Sequence, residues 1–274
     1  MTILLLHLAA LAALLALAAA PFVGAEGGIR EGADRGKRFW CLLAVSLAGS
    51  GAVVWVDFAA GWRVGLAPAL WLTIVVTLAL YGAGSVLYPS MERIGALLAP
   101  YLLVRGILAT MWTHAPVPLA PVEAGSAWLG LHITVSVVTY ALFTLAAVAG
   151  ASVFVQERAM KARRPSRLTA LLPAVADGER LQRALMTAAA AVLGLGLATG
   201  MVIEYGESGQ VIVFTHKTVF SLAAFAVIVS LIAVERISGL AGRRAARLLL
   251  LAYLFLTLAY PGVKFVTEVV LGRA

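Results

Sequence analysis

The chain has 274 residues, 62% of them hydrophobic and 12% charged, against roughly 45 to 50% and about 25% in an ordinary soluble domain. That composition excludes a soluble globular enzyme. Eight spans of about 20 residues would use roughly 160 residues, so residues 1–274 read as a single membrane-embedded domain. The net charge of +8 would point to nucleic acid in a soluble chain, but the basic residues lie between apolar runs, where they set topology. With Cys41 as the sole cysteine, disulfides and Cys-rich zinc sites are excluded, and Cys41 reads as packing.

In chain order, apolar runs cover 3–23, 39–56, 66–88, 94–112, 127–155, 184–203, 216–234 and 248–270. They predict an all-α, polytopic integral membrane helix bundle of eight transmembrane helices, four in 1–112 and four in 127–271. The first run has no positive residues before it and several after it, so it reads as a retained helix rather than a signal peptide. With the connection holding Arg30, Arg35, Lys37 and Arg38 placed inside, 16 of the 21 basic residues fall on the inner side. Only Arg63, Lys217, Lys264 and Arg273 fall outside. The asymmetry predicts both termini outside.

Some connections and spans carry local signals. The connection 156–183 is basic, contains Pro165 and Pro173, and predicts a topogenic loop with a short surface helix on the anionic leaflet. Gly196 and Gly200 form a G-x-x-x-G in the sixth span, which lets another helix approach closely. Gly49-Ser50-Gly51 is a small-residue packing motif, with no base to make a nucleophile of the serine. Lys264 and Glu268 are spaced to pair with each other.

This topology puts all four histidines, His7, His114, His132 and His216, toward the outer face. Singly, each reads as a hydrogen-bonded interfacial residue. As a pair on different helices, they could hold a haem iron from both axial sides. Trp55, Trp62, Trp71, Trp112 and Trp128 also map to the outer interface, with Trp40 alone at the inner one. An aromatic belt explains them in part, but belts normally occupy both faces. Arg105 lies within the fourth span, where a charge is costly unless it faces the bundle interior. Its expected partners are Asp57, Glu204 or an anionic ligand group such as a haem propionate.

The second half carries an ordered set of short motifs. They run Leu131-His132-Ile133 with Tyr140, Leu172-Pro173, Glu179-Arg180, His216-Lys217 with Ser221, Gly242-Arg243-Arg244, and Leu256-Thr257-Leu258-Ala259-Tyr260-Pro261-Gly262. From Trp128 onward the chain thereby resembles the cytochrome c assembly protein family. The nearest likeness is to its HemX-like and YpjD-like inner-membrane branch, related to the haem-handling CcsA and CcmC components. The resemblance implies that the residue at His132 is an axial haem ligand and that outer-face tryptophans cradle the porphyrin. Here the segment between Gly200 and His216 contains no tryptophan, and Trp128 and Tyr205 are the aromatics near the expected cradle. No histidine follows Tyr260.

The reading that follows is a haem-binding membrane protein without enzymatic turnover that assists cytochrome c assembly or haem-protein biogenesis. Its partners are haem, other cytochrome c maturation or membrane proteins, and the lipid bilayer, not nucleic acid. The expected cofactor-binding residues are His132, His216, Arg105, Trp128 and Tyr205, with His132 and His216 on the metal and His114 and His7 in reserve. The alternatives are a small-solute or ion transporter using Arg105 and the outer histidines, and a ligand-less regulatory or scaffold subunit.

Overall fold

The computed structural model describes residues 2–23, 31–59, 65–114, 127–210, 213, 215–238 and 243–258, with positions 262 and 266. Its helices are α1 (Thr2–Ala19), α2 (Glu31–Ala59), α3 (Leu66–Leu87), α4 (Ser90–Arg93), α5 (Gly95–Met111), α6 (Ala127–Ala162), α7 (Arg167–Leu171), α8 (Val175–Ser208), α9 (His216–Ser238) and α10 (Arg243–Thr257), with a single 3₁₀ turn at Trp112–His114. Each of the eight apolar runs carries one helix of 15 residues or more among the described residues. Gly36–Ala59, Leu66–Leu87, Trp128–Ala162, Val175–Gly206 and Thr218–Ile237 are long and apolar enough to cross a membrane. Ile3–Ala19, Gly95–Met111 and Ala245–Thr257 are apolar but shorter. At 1.5 Å per residue the 17 residues of α5 span about 26 Å, against the ~30 Å hydrocarbon layer. The chain is an all-α, multi-pass membrane protein.

The helices pack as two quartets. In the first, α1 lies against α2 and α5, and α3 also lies against α2 and α5. In the second, α6 and α9 each pack on both α8 and α10. The buried residues form two apolar clusters accordingly, one around Leu14, Trp71, Ile74, Leu98 and Leu102, the other around Phe143, Met186, Ile228 and Leu249. Leu145 and Ala149 of α6 belong to the first cluster, and α6 packs on α3 and α5. The quartets are therefore joined along the α3 and α5 face of one and the α6 face of the other.

Small residues set the closest approaches. Ala10 backs onto Gly49, where an added Cβ would lie 3.4 Å from its Cα, and Ser46 Oγ donates to the Ala13 carbonyl at 3.1 Å. Gly49 and Ser46 thus lie in the α1–α2 contact. Gly196 and Gly200 turn to α6, facing Val135 and His132, while lower down Gly150 faces Gln182 and Gly178 faces Val153. One residue up α6 matches one residue down α8 over this whole length, so the two helices run antiparallel in a constant register.

Several boundaries differ from the hydropathy pattern. Helices α6 and α8 continue well past their apolar runs, so the 156–183 segment is mostly helix and the connection shrinks to 163–174. Charged residues support a helix in water as well as apolar ones do in lipid, as the Glu157–Lys161 pair at 3.7 Å illustrates. The short helix expected in this segment is α7, capped by Ser166, whose Oγ accepts from the Thr169 N–H at 3.2 Å. Gln156 Nε2 donates to the carbonyls of Thr169 at 2.8 Å and Pro173 at 3.1 Å, and Arg93 Nη2 donates to Ala170 O at 2.9 Å. Cys41 is exposed on the bundle surface rather than packed. The Lys264–Glu268 pair lies outside the described residues.

Candidate functional site

Arg105, on α5, points into the seam between the quartets and is 5% exposed. Its Nη2 donates to Thr73 Oγ1 of α3 at 2.6 Å, and Thr73 Oγ1 donates onward to Leu70 O at 2.8 Å. The guanidinium carbon lies 4.8 Å from the ring centroid of Tyr140 on α6 and 5.7 Å from that of Tyr101, one turn earlier on α5. Both distances are in the range of a cation–π attraction. Thr73 and the tyrosines stand where Asp57 or Glu204 were expected.

A hydroxyl network completes this cluster. The Tyr101 and Tyr253 hydroxyls are 2.6 Å apart, and Tyr253 donates to Tyr140 at 3.2 Å. Thr144 lies 3.0 Å from Tyr253 and Thr257 lies 3.3 Å from Tyr140. The sequence reading missed Thr73, Tyr101 and Tyr253 as a group, and knew Tyr140 only as part of a motif. One signal was available, since Tyr101 precedes Arg105 by four residues and so shares its helix face.

The cluster also orders the helices. Tyr253 meets Thr144 while Thr257 meets Tyr140, so α10 runs against α6. Arg105 meets Tyr140 and Tyr101 meets Tyr253, so α5 runs against α6 as well. Thr110 Oγ1 lies 3.5 Å from His7 Nδ1, so α1 runs against α5. His7, His114, His132 and His216 consequently occupy helix ends on one side of the bundle.

His132 sits five residues into α6 with its ring over Gly200, where a Cβ would come within 3.1 Å of Cε1. Its Nδ1 is 3.1 Å from Thr199 Oγ1, and Thr199 also donates to Gly196 O at 3.0 Å. A glycine under the ring and a threonine beside it fix the imidazole's position. The N-terminal turn of α9 carries His216, and α9 lies diagonally across the second quartet from α6 rather than beside it.

His7 belongs to the first quartet, buried at 2% exposure and edge-on to Trp71 with centroids 5.5 Å apart. It is a core residue. Trp71 is likewise fully buried, which removes it from any interfacial belt, whereas Trp55, Trp128 and Tyr205 are exposed. Trp128 and Tyr205 lie at the His132 end of α6 and α8 but on their outer surfaces. Trp62 falls outside the described residues. Among the described residues, no group of three or more His, Cys, Asp or Glu is placed to hold a metal ion.

The Cytochrome C assembly protein family matches residues 39–271. The chain belongs to that family. The family match begins within α2, so it takes in Thr73, Tyr101 and Arg105 of the first half as well as the second-half motifs. A relative from Azospirillum brasilense, described as an uncharacterized 28.8 kDa protein in the nifR3-like 5' region, is 48% identical over 266 residues, 97% of each chain. No solved structure matches the chain. The family relates to haem handling in cytochrome c assembly, and two residues of this chain offer donors of the kind a haem would need. His132 offers an oriented imidazole, and Arg105 offers Nη1, buried with no hydrogen-bond partner among the described residues, to a propionate.

Proposed function

We propose that the protein is a haem-handling component of cytochrome c assembly or haem-protein biogenesis in the bacterial inner membrane. It crosses the membrane eight times with both termini outside and holds haem near the outer face. It is a binding protein rather than an enzyme. His132 would hold the haem iron, with His216 as the second candidate and His114 in reserve. Arg105 contacts a propionate, and Trp128 and Tyr205 flank the entry from lipid. When bound, the haem supplies an iron centre for delivery to a partner protein of cytochrome c maturation.

The observation that carries the reading is the seating of His132. Histidines bound to metal are oriented by a hydrogen bond on the other ring nitrogen, and Thr199 provides that bond to Nδ1, which assigns coordination to Nε2. His132 would present Nε2 at the bundle end, beside the second quartet. Arg105 lies near Tyr140, eight residues or about 12 Å further along α6, where its Nη1 could donate a charge-assisted hydrogen bond to a carboxylate. The test is the absorption spectrum of the protein purified from cells with ample haem. A stoichiometric Soret band supports the reading, and a colourless protein that also fails to take up added haemin refutes it.

A further inference from the structure

Arg105 carries a full charge into the seam between the quartets, with Nη2 bonded to Thr73 and Nη1 without a hydrogen-bond partner among the described residues. No aspartate or glutamate among the described residues pairs with it. The groups facing it are the Tyr101 and Tyr140 rings and a chain of phenolic hydroxyls ending at Tyr253. The ring faces attract the guanidinium and the hydroxyls can donate or accept, but none of these groups carries a negative charge. A guanidinium without a counter-ion in a low-dielectric interior is costly, and removal of its charge by deprotonation is not available to arginine. A two-oxygen monoanion meets the need: one oxygen on Nη1, the other on a tyrosine hydroxyl, with one negative charge for the one positive. A phosphate dianion would overcompensate.

We propose that Arg105, Tyr101, Tyr140 and Tyr253 form a carboxylate-binding clamp inside the membrane that takes the acid group of an amphipathic ligand and locks the two quartets together. The clamp draws on α3 and α5 from one quartet and α6 and α10 from the other, so its occupant cross-links both. Two sources of carboxylate fit this chemistry, a haem propionate and a fatty acid. The inference rests on the haem reading only for the first of these sources.

The experiment measures the rise in thermal unfolding midpoint of the purified full chain in non-ionic detergent with two probe pairs. Haemin is compared with haemin dimethyl ester, and dodecanoate with dodecanol; each pair differs at the acid group. The clamp predicts that wild type binds the acid at least about tenfold more tightly than its neutral partner in one pair or both, the value of a charge-assisted hydrogen bond. Arg105→Gln removes the preference, and Tyr253→Phe, which keeps the charge and the packing, weakens it. A preference in the haemin pair alone assigns the propionate, and one in the dodecanoate pair alone assigns a lipid-derived acid. Equal binding within both pairs in wild type overturns the clamp, as does a preference that survives Arg105→Gln. If Arg105→Gln does not fold, an undiminished preference in Tyr253→Phe overturns it. His132→Ala separates the two readings, since it removes iron coordination and leaves the acid preference in place.

Discussion

At the scale of single residues, the informative features are a charge and a ring held where the membrane penalises polarity. A lipid-facing arginine at mid-span costs on the order of 3 kcal/mol or more, and Arg105 avoids this by turning inward onto Thr73 and two tyrosine faces. Arg105→Leu should therefore insert and fold yet lose haem retention, read as a Soret band falling relative to protein absorbance. Gly200 is a sterically defined position, because its missing Cβ leaves the His132 ring its seat. Gly200→Leu should overpack the α6–α8 contact by about 1–3 kcal/mol and shift the spectrum of bound haem, whereas Gly206→Ala, with nothing within 4 Å, should leave the spectrum unchanged and raise the midpoint slightly. The sequence made Arg105 legible because a charge in an apolar run is conspicuous. It did not reveal the tyrosines, because a phenol is compatible with belt, core and network alike, and only the helix register decides among them.

At the scale of elements, hydropathy located every long helix but misplaced the ends of α6 and α8. Apolar runs mark what lies in lipid, while helices stop at caps and connections. The end of α8 is marked by Gly209 at φ 71, whose N–H bonds to Tyr205 O at 3.0 Å. The end of α6 uses Arg163 at φ 50, a left-handed conformation costing a side chain roughly 1–2 kcal/mol. Arg163→Gly should relieve part of that strain and raise the midpoint of thermal unfolding slightly. The connection 163–174 is clamped by Gln156 and Arg93, so Gln156→Ala, which leaves several carbonyls without their donor, should cost about 1–3 kcal/mol. It should also speed tryptic cleavage at Arg163, Arg164 and Arg167. The Arg183–Glu235 pair at 2.7 Å joins α8 to α9, but its arginine side chain is 55% exposed, so Arg183→Ala should change stability by less than about 1 kcal/mol.

At the scale of the whole molecule, two quartets meet along a seam. The seam itself was not legible, because which helix faces which depends on contacts such as Tyr101 with Tyr253, 152 residues apart. Sidedness follows from charge, and cysteine labelling at Gly125 and Pro165 should report opposite sides of the membrane; labelling from one side would remove the eight-span topology. The central claim is that haem is held by histidine at the His132 end of the second quartet. The most direct measurement is the low-spin signature of bound haem, by optical and electron paramagnetic resonance spectra, in His132→Ala, His216→Ala and His7→Ala. The account predicts that a six-coordinate low-spin haem is lost in the first two and unchanged in the third. A low-spin spectrum unaltered in both His132→Ala and His216→Ala would contradict it.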